Sequence, residues 1–228
     1  MKVRLLAALL LALAPVGRAE MPRFRVGPST DLNEPGKKQV STEAQHLAKT
    51  AMLAMAKGDL AAAQRDFEKV LTLAPDNVAT TINLGLVAYR QKRYAAAEKY
   101  LKNAIRIQPE AGLGWLILGV VRYDQDQLDA ALAALAQAAL LEPKNATVHQ
   151  YLGVTVGKKG WLSGAEDELR KAIEIDPGYA EAHFNLAVFY LQRTPPSVEL
   201  ARRHYQKALD LGAAPDADVA RSLAEPKE

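Results

Sequence analysis

Apolar residues recur along the chain at steps of three and four, the spacing that places side chains on one face of an α-helix. Leu84 and Ala88 have this spacing, and after a polar break Ala97, Leu101 and Ala104 have it again. Each patterned segment runs for roughly 14 residues, a common helix length in globular proteins. The pattern predicts amphipathic helices arranged in pairs, with a short turn inside each pair.

This helix-pair pattern returns every 34 residues through most of the chain. A proline ends the second helix in four of the repeats, because proline lacks a donor N–H and disfavours helix in the residue before it. One pair cannot bury its own apolar face, so the pairs are expected to stack and fold together. The residues that keep the period are Pro75, Pro109, Pro143 and Pro177, then Gly85, Gly119 and Gly153, then Ala63, Ala97, Ala131 and Ala165, and finally Leu84, Leu118, Leu152 and Leu186.

The third repeat carries the fullest motif, with Trp115, Leu118, Gly119 and Tyr123 on its first helix and Ala131, Leu135, Ala138 and Pro143 on its second. On these residues the chain resembles the tetratricopeptide repeat (TPR) family. The resemblance implies an all-α fold, a right-handed α-solenoid of about five TPR helix-turn-helix units in residues 44–212. The units are expected at residues 44–77, 78–111, 112–145, 146–179 and 180–212.

The last unit and the segment after it depart from this pattern. In unit five the loop Arg193–Ser197 separates the two helices, which places the start of the second helix near Val198. Residues 213–228 are expected to form a short capping helix and a tail. Val219 and Leu223 on one side of that helix would cover the open end of the array.

The first 19 residues have the layout of a secretory signal peptide. The start is basic, ten apolar residues follow from Leu5 to Ala14, and cleavage is expected after Ala19. An uncleaved anchor is the alternative, although a spanning helix needs about 20 apolar residues. The signal predicts a periplasmic or secreted protein with no stable membrane span. Residues 20–43 contain several prolines and glycines and are predicted to be a flexible leader.

Loss of the signal would remove Lys2, Arg4 and Arg18 and no acidic residue. The full chain has 29 basic and 26 acidic side chains, so 26 of each would remain. A chain without net charge lacks the basic surface that nucleic-acid binding requires, and no nucleic-acid partner is expected. The sequence has no cysteine, which excludes disulfides and a lipid-modified cysteine at the start of the mature chain.

The sequence contains no phosphate-binding glycine-rich loop, no cysteine nucleophile and no paired-histidine metal motif. No catalytic residue, metal site or cofactor is therefore predicted. His149 and His183 lie one period apart, at the place that Trp115 takes in unit three, and a packing role is favoured over metal binding. The acidic run at residues 166–168 is predicted to lie on a solvated outer face.

In TPR proteins the first helices of the units line a concave groove, and the resemblance implies which side chains face it here. A solvated helix face should be polar, so a large apolar strip predicts a binding site for a peptide or helix. The alternative is that neighbouring helices or the leader cover the strip. The implied groove residues are Ile82, Asn83, Leu86, Tyr89, Leu113, Leu116, Ile117, Val120, Tyr123, Gln150, Tyr151, Val154, Phe184, Asn185, Val188 and Leu191.

Some TPR domains hold the C-terminal carboxylate of a partner with paired lysine and asparagine residues. Asn83 and Asn185 stand at suitable places for that mode. The places for their companions hold Ala48 and Met52 in unit one and Gln150 and Val154 in unit four, so the paired lysine is missing. A hydrophobic helix or an extended peptide is the more plausible ligand.

These observations predict a non-catalytic scaffold or adaptor that binds another polypeptide. Resemblance to exported TPR proteins suggests a place in envelope assembly, secretion or pilus biogenesis. Self-association into a homo-oligomer is an alternative, and a regulatory subunit of an enzyme is a weaker one. The fold is used for many functions, so the residues do not name the partner.

Overall fold

The computed structural model describes residues 40–224, and all regular structure in that range is helical. The predicted signal peptide and most of the predicted leader lie outside the described residues. The described helices are α1 (Thr42–Ala56), α2 (Leu60–Leu73), α3 (Val78–Arg90), α4 (Tyr94–Ile107), α5 (Gly112–Asp124), α6 (Leu128–Leu141), α7 (Ala146–Lys158), α8 (Leu162–Ile175), α9 (Ala180–Gln192), α10 (Val198–Asp210) and α11 (Ala217–Ala224).

The first ten helices form five hairpins, in which each odd-numbered helix packs along the next even-numbered one. Each hairpin then packs against the following hairpin, and the odd-numbered helices of neighbouring hairpins also touch. Contacts thus join elements that are close in the sequence, as in other helical repeats. The predicted all-α solenoid of five helical hairpins is confirmed.

Glycines on the odd-numbered helices allow the two helices of a hairpin to approach closely. A Cβ added at Gly85 would lie 2.7 Å from Leu101 Cγ, and one added at Gly119 would lie 2.6 Å from Leu135 Cγ. In each of these hairpins the residue beside the glycine is the leucine one helical turn after the period-keeping alanine (Ala97 or Ala131), because a leucine is large enough to fill the space that a glycine leaves.

The turn inside each of the first four hairpins contains one residue in the left-handed region. Its φ is +81° at Gly58, 58° at Lys92, 61° at Asp126 and +86° at Gly160. These four residues are 34 positions apart, so the turn geometry follows the repeat. Only glycine adopts such a φ without steric cost, and Lys92 and Asp126 are therefore strained.

An aromatic ring N–H closes the connection between hairpins at the last three junctions of the array. Trp115 Nε1 donates to the Pro109 carbonyl at 2.8 Å. His149 Nε2 lies 2.9 Å from the Pro143 carbonyl, and His183 Nε2 lies 3.3 Å from the Pro177 carbonyl. A carbonyl can only accept, so both histidines donate there as Trp115 does. The structure thus gives these histidines the packing role that their position predicts.

The prediction that the acidic run at 166–168 is solvated is wrong for its first member. Glu166 is 1% exposed. Arg193, in the loop that replaces the usual tight turn of unit five, donates to both Glu166 carboxylate oxygens at 2.6 and 2.5 Å, and Arg170 donates to one of them at 3.2 Å. The carboxylate is buried because it anchors this loop to α8, which the sequence pattern alone does not show.

The short helix α11 packs on the end of the fifth hairpin. Its Val219 and Leu223 are buried in one apolar cluster with Tyr205 of α10. The Tyr205 hydroxyl also accepts from the Asp216 backbone N–H at 2.7 Å and donates to the Asp216 carbonyl at 3.1 Å. This contact gives the array a closing element at the end of the described chain.

Candidate peptide-binding face

The sixteen predicted groove residues all lie on α3, α5, α7 and α9, and the surface that these helices form is called the inner face below. Four residues of the set are partly open to solvent: Leu113, Tyr123, Tyr151 and Phe184. The other twelve are buried, namely Ile82, Asn83, Leu86, Tyr89, Leu116, Ile117, Val120, Gln150, Val154, Asn185, Val188 and Leu191.

The expectation of a broad exposed apolar strip is therefore wrong. Most of the apolar members on α3 and α5 belong to one continuous buried cluster. Helices α3 and α5 touch, and a Cβ added at Gly114 of α5 would lie 3.6 Å from Ile82 Cδ1 of α3. Side chains of neighbouring odd-numbered helices thus cover one another. Whether the sixteen residues contact a partner stays a prediction.

The open part of the inner face is built around tyrosines from successive units. Tyr89 of α3 donates its hydroxyl hydrogen to Asp124 Oδ2 at 2.7 Å, which links two units. The rings of Tyr123 and Tyr151 meet edge to face, with centroids 6.3 Å apart and an interplanar angle of 75°. Such edge-to-face contacts stabilise an aromatic pair beyond the area that it buries. Tyr179, which precedes α9, extends the row toward unit five.

Burial shifts the acid–base equilibria of this tyrosine row. It raises the pKa of Tyr123 and of Tyr179 to about 12. It raises the pKa of Tyr89 and of Tyr151 further, and the neighbouring Asp124 carboxylate adds to both shifts. The tyrosines are neutral hydrogen-bonding groups at any physiological pH. Burial also raises the pKa of Asp124, although the Tyr89 hydrogen bond opposes that shift.

A lysine and two further carboxylates surround the tyrosine row. Lys158 Nζ lies 2.7 Å from Asp126 Oδ1 and 5.1 Å from the centroid of the Tyr123 ring, a cation–π distance. Glu181 lies near enough to Tyr151 and Tyr179 for its charge to raise the pKa of both. Tyr89, Tyr123, Tyr151, Tyr179, Asp124 and Glu181 are called the tyrosine–carboxylate cluster below.

Two asparagines of the inner face carry buried amide atoms without a hydrogen-bond partner. Asn83 is 4% exposed and Asn185 is 3% exposed. Within residues 40–224, neither Oδ1 of Asn83 nor Nδ2 of Asn185 has a hydrogen-bond partner. An unpaired buried polar atom costs about 1–3 kcal/mol, so these two atoms are sites where a ligand can restore a hydrogen bond.

Models of the tetratricopeptide repeat family match residues 49–112, 94–147 and 116–180, and a second model of that family matches 168–210. The matches together cover more than half of the chain. The chain belongs to the tetratricopeptide repeat family. No curated protein matches the sequence of this TPR protein.

Solved TPR structures resemble this TPR protein over most of its length. MamA is 27% identical, with a TM-score of 0.61 and coverage of 71% of this chain and 93% of its own. YrrB, described as a TPR protein with an unusual peptide-binding site, is 26% identical, with a TM-score of 0.58 and coverage of 77% and 88%. Pseudomonas aeruginosa pilF has a TM-score of 0.72 over 81% and 82% of the two chains, and at 16% identity it shows the fold alone.

Neither a metal site nor a membrane-spanning helix occurs in the described part of this TPR protein. No group of three or more histidine, cysteine or carboxylate side chains within residues 40–224 is arranged to hold a metal ion. Within the same range, every helix is too short or too polar to cross a bilayer. The tyrosine–carboxylate cluster and the two asparagines are thus the chemistry that the inner face of the TPR array presents.

Sequence reasoning missed Asp124, Lys158, Tyr179 and Glu181 as members of the site. Asp124 and Lys158 stand at the thirteenth place of their units, one residue beyond the place that Tyr89 and Tyr123 take in theirs. The 34-residue period contains a signal for these two residues, because the same place in unit two holds Arg90 and is therefore charged in three successive units. Tyr179 ends unit four in the sequence but lies beside α9 in the structure, so a unit-by-unit reading separates it from the site.

Proposed function

We propose that this TPR protein is a non-catalytic scaffold that binds an extended segment of a partner protein across its inner face. The observation that carries the proposal is the pair of buried, unpaired amide atoms on Asn83 and Asn185. A peptide backbone offers N–H donors and carbonyl acceptors, and these are the partners that the Oδ1 of Asn83 and the Nδ2 of Asn185 lack.

The open side chains of the inner face support an extended peptide over a packed helix. Leu113, Tyr123, Tyr151 and Phe184 are spread over α5, α7 and α9 as separate, partly open positions. An amphipathic helix needs a continuous apolar groove, and burial of the other apolar side chains leaves no such groove among the described residues. Separate open positions of this kind suit an extended peptide whose backbone also forms hydrogen bonds.

The cellular setting belongs to the same proposal. The signal-like residues 1–19 support export, and therefore a periplasmic or secreted address. In that setting the scaffold would serve envelope assembly, secretion or pilus biogenesis. Fusion of residues 1–40 to alkaline phosphatase, which is active only after export from the cytoplasm, tests the address. Absence of phosphatase activity would contradict it.

The binding proposal is tested with peptides selected from a random display library on residues 40–228. Replacing a backbone amide of a selected peptide with an ester removes one N–H donor. An ester is placed at each peptide position in turn. At the position whose N–H donates to Asn83, the ester should weaken binding to the natural protein, and it should have no effect on binding to the Asn83→Leu variant. Asn103→Ala on α4, where Asn103 only accepts from Arg106 on its own helix, is the control.

Two outcomes would contradict the scaffold proposal. One is that no library peptide is retained. The other is that Asn83→Leu and Asn185→Leu bind the selected peptides as tightly as Asn103→Ala does, with the helical circular dichroism of all three unchanged. Light scattering on the same samples separates a scaffold from a homo-oligomer, since self-association through the inner face should be lost when peptide is added.

A further inference from the structure

We infer that the peptide presents a lysine or arginine side chain to the tyrosine–carboxylate cluster, so that the inner face selects basic segments. This inference rests on the proposed function and adds the chemical class of the partner. Its basis is the charge, the aromatic rings and the hydrogen-bonding capacity that the structure brings together on α5, α7 and α9.

Neither Asp124 nor Glu181 forms an ion pair within residues 40–224, although the charge of Lys158 acts to lower the pKa of Asp124. The nearby Lys158 is paired with Asp126 at 2.7 Å. Asp124 accepts one hydrogen bond, from the Tyr89 hydroxyl, and an ionised carboxylate can accept several more. Both carboxylates therefore have oxygen atoms free to accept from an arriving cation.

The tyrosine rings are suited to the same cation. Lys158 Nζ already stands 5.1 Å from the centroid of the Tyr123 ring, which shows that this ring accepts an ammonium group within the structure. Tyr151 lies edge to face with Tyr123 and is itself partly open. A lysine or arginine stem packs along such rings while its charged end reaches a carboxylate.

Other side chains fit this surface less well. An acidic side chain would meet Asp124, Asp126 and Glu181, and like charges at short range are repulsive. An apolar side chain would leave Asp124 without a close cation and would remove water from its carboxylate, which is costly. Burial raises the pKa of Asp124 even though the Tyr89 hydrogen bond and the charge of Lys158 oppose that shift, so a closer cation would favour the ionised carboxylate further.

A second observation points to a ligand at the same place. Asn185 follows Glu181 by one helical turn, so both lie on one face of α9. The Nδ2 atom of Asn185 is buried and has no acceptor within residues 40–224. A peptide carbonyl close to the basic residue would supply that acceptor, and the basic side chain and its backbone would then be fixed together.

The test uses the selected peptides as the probe. Their sequences should share a lysine or arginine at a fixed position, and replacement of that residue by norleucine should weaken binding roughly tenfold, in the range of one charge-assisted contact. In the Asp124→Asn plus Glu181→Gln double variant, the lysine and norleucine peptides should bind equally. Asp76→Asn, in the exposed turn after α2, is the matched control and should keep the tenfold preference.

The failures of the two proposals are distinguishable. Peptides that bind through Asn83 and Asn185 but show no shared basic residue would overturn the inference and leave the scaffold intact. A lysine preference that persists in the double variant would also overturn it, because the discrimination would then come from elsewhere. If no peptide binds, the scaffold proposal and this inference fail together.

Discussion

Arg193 reaches across 27 positions of sequence to hold both carboxylate oxygens of Glu166, with Nε at 2.6 Å and Nη2 at 2.5 Å. The Arg193 guanidinium also lies 5.3 Å from the centroid of the Tyr190 ring. One planar group thus connects α8, α9 and the irregular loop of unit five. Two parallel N–H···O bonds fix orientation as well as distance, which a single ion pair does not.

Replacing Arg193 with alanine should lower the unfolding temperature, because buried Glu166 would keep only Arg170 as a cationic partner. Arg221→Ala removes one partner of an exposed pair with Asp218 and should change the unfolding temperature little. Thermal unfolding followed by circular dichroism compares the two variants. Equal effects would show that the Arg193–Glu166 contact does not stabilise the loop.

Two glycines of α5 should respond to alanine in opposite directions. At Gly119 a Cβ would lie 2.6 Å from Leu135 Cγ, so Gly119→Ala should destabilise the protein by about 1–3 kcal/mol. At Gly114 the nearest atom would be 3.4 Å away, and Gly114→Ala should gain up to ~1 kcal/mol from helix propensity. Urea unfolding measures both. A gain in both variants would mean that Leu135 moves aside without cost.

Lys92 offers a stabilising change, because it holds a φ of 58° in a turn where two other units have glycine. Lys92→Gly should raise the free energy of unfolding by about 0.5–1 kcal/mol, since relief of the left-handed strain exceeds the added freedom of the unfolded chain. Gly58→Ala is the converse variant, with a φ of +81°, and should lose a similar amount. Chemical denaturation checks both, and a loss at Lys92→Gly would contradict the strain argument.

The pair of histidines in unit five should make stability depend on pH. His183 Nδ1 and His204 Nδ1 lie 2.9 Å apart. Burial, His183 and the nearby Arg170 and Arg203 lower the pKa of His204 to about 4, and burial with a contribution from Lys207 lowers the pKa of His183. A folded-state pKa below the unfolded value means that the unfolded chain binds more protons between the two.

Stability should therefore fall as the pH is lowered from about 6.5 toward 4, and level off for His204 below that. One pKa unit corresponds to about 1.4 kcal/mol, and partial exposure weakens the effect, so His204 should account for about 2 kcal/mol. His204→Gln should flatten the dependence. His46→Gln, at an exposed site of α1, should not. An unchanged slope in His204→Gln would reject this assignment.

The repeat period predicted most of the fold because the residues that determine each hairpin lie within its own unit. Glycines set how closely the two helices approach, leucines fill the space between them, and prolines end the second helix of units one to four. The second helix of unit five does begin at Val198, as the longer loop requires. The partner of Glu166 could not be predicted, since Arg193 lies in the segment that breaks the period.

The site was less predictable than the fold. The places that line the inner face follow from the family pattern, but exposure depends on the size of neighbouring side chains. Unit four has Gly157 where units two and three have Tyr89 and Tyr123. A Cβ at Gly157 would lie 2.1 Å from Phe189, so a ring from the next unit occupies that space. Differences of this kind between units determine which side chains of the inner face stay exposed. They cannot be recognised from the sequence of one unit alone.

The ring-to-carbonyl bonds of Trp115, His149 and His183 have a mechanical consequence. Each one secures the junction between two hairpins, and the main contacts of the array reach only the next helix or the next hairpin. Under tension applied at its two ends, such a chain should unravel hairpin by hairpin, releasing about 110 Å of contour length per step. A scaffold of this kind could lengthen under load while most of it stays folded.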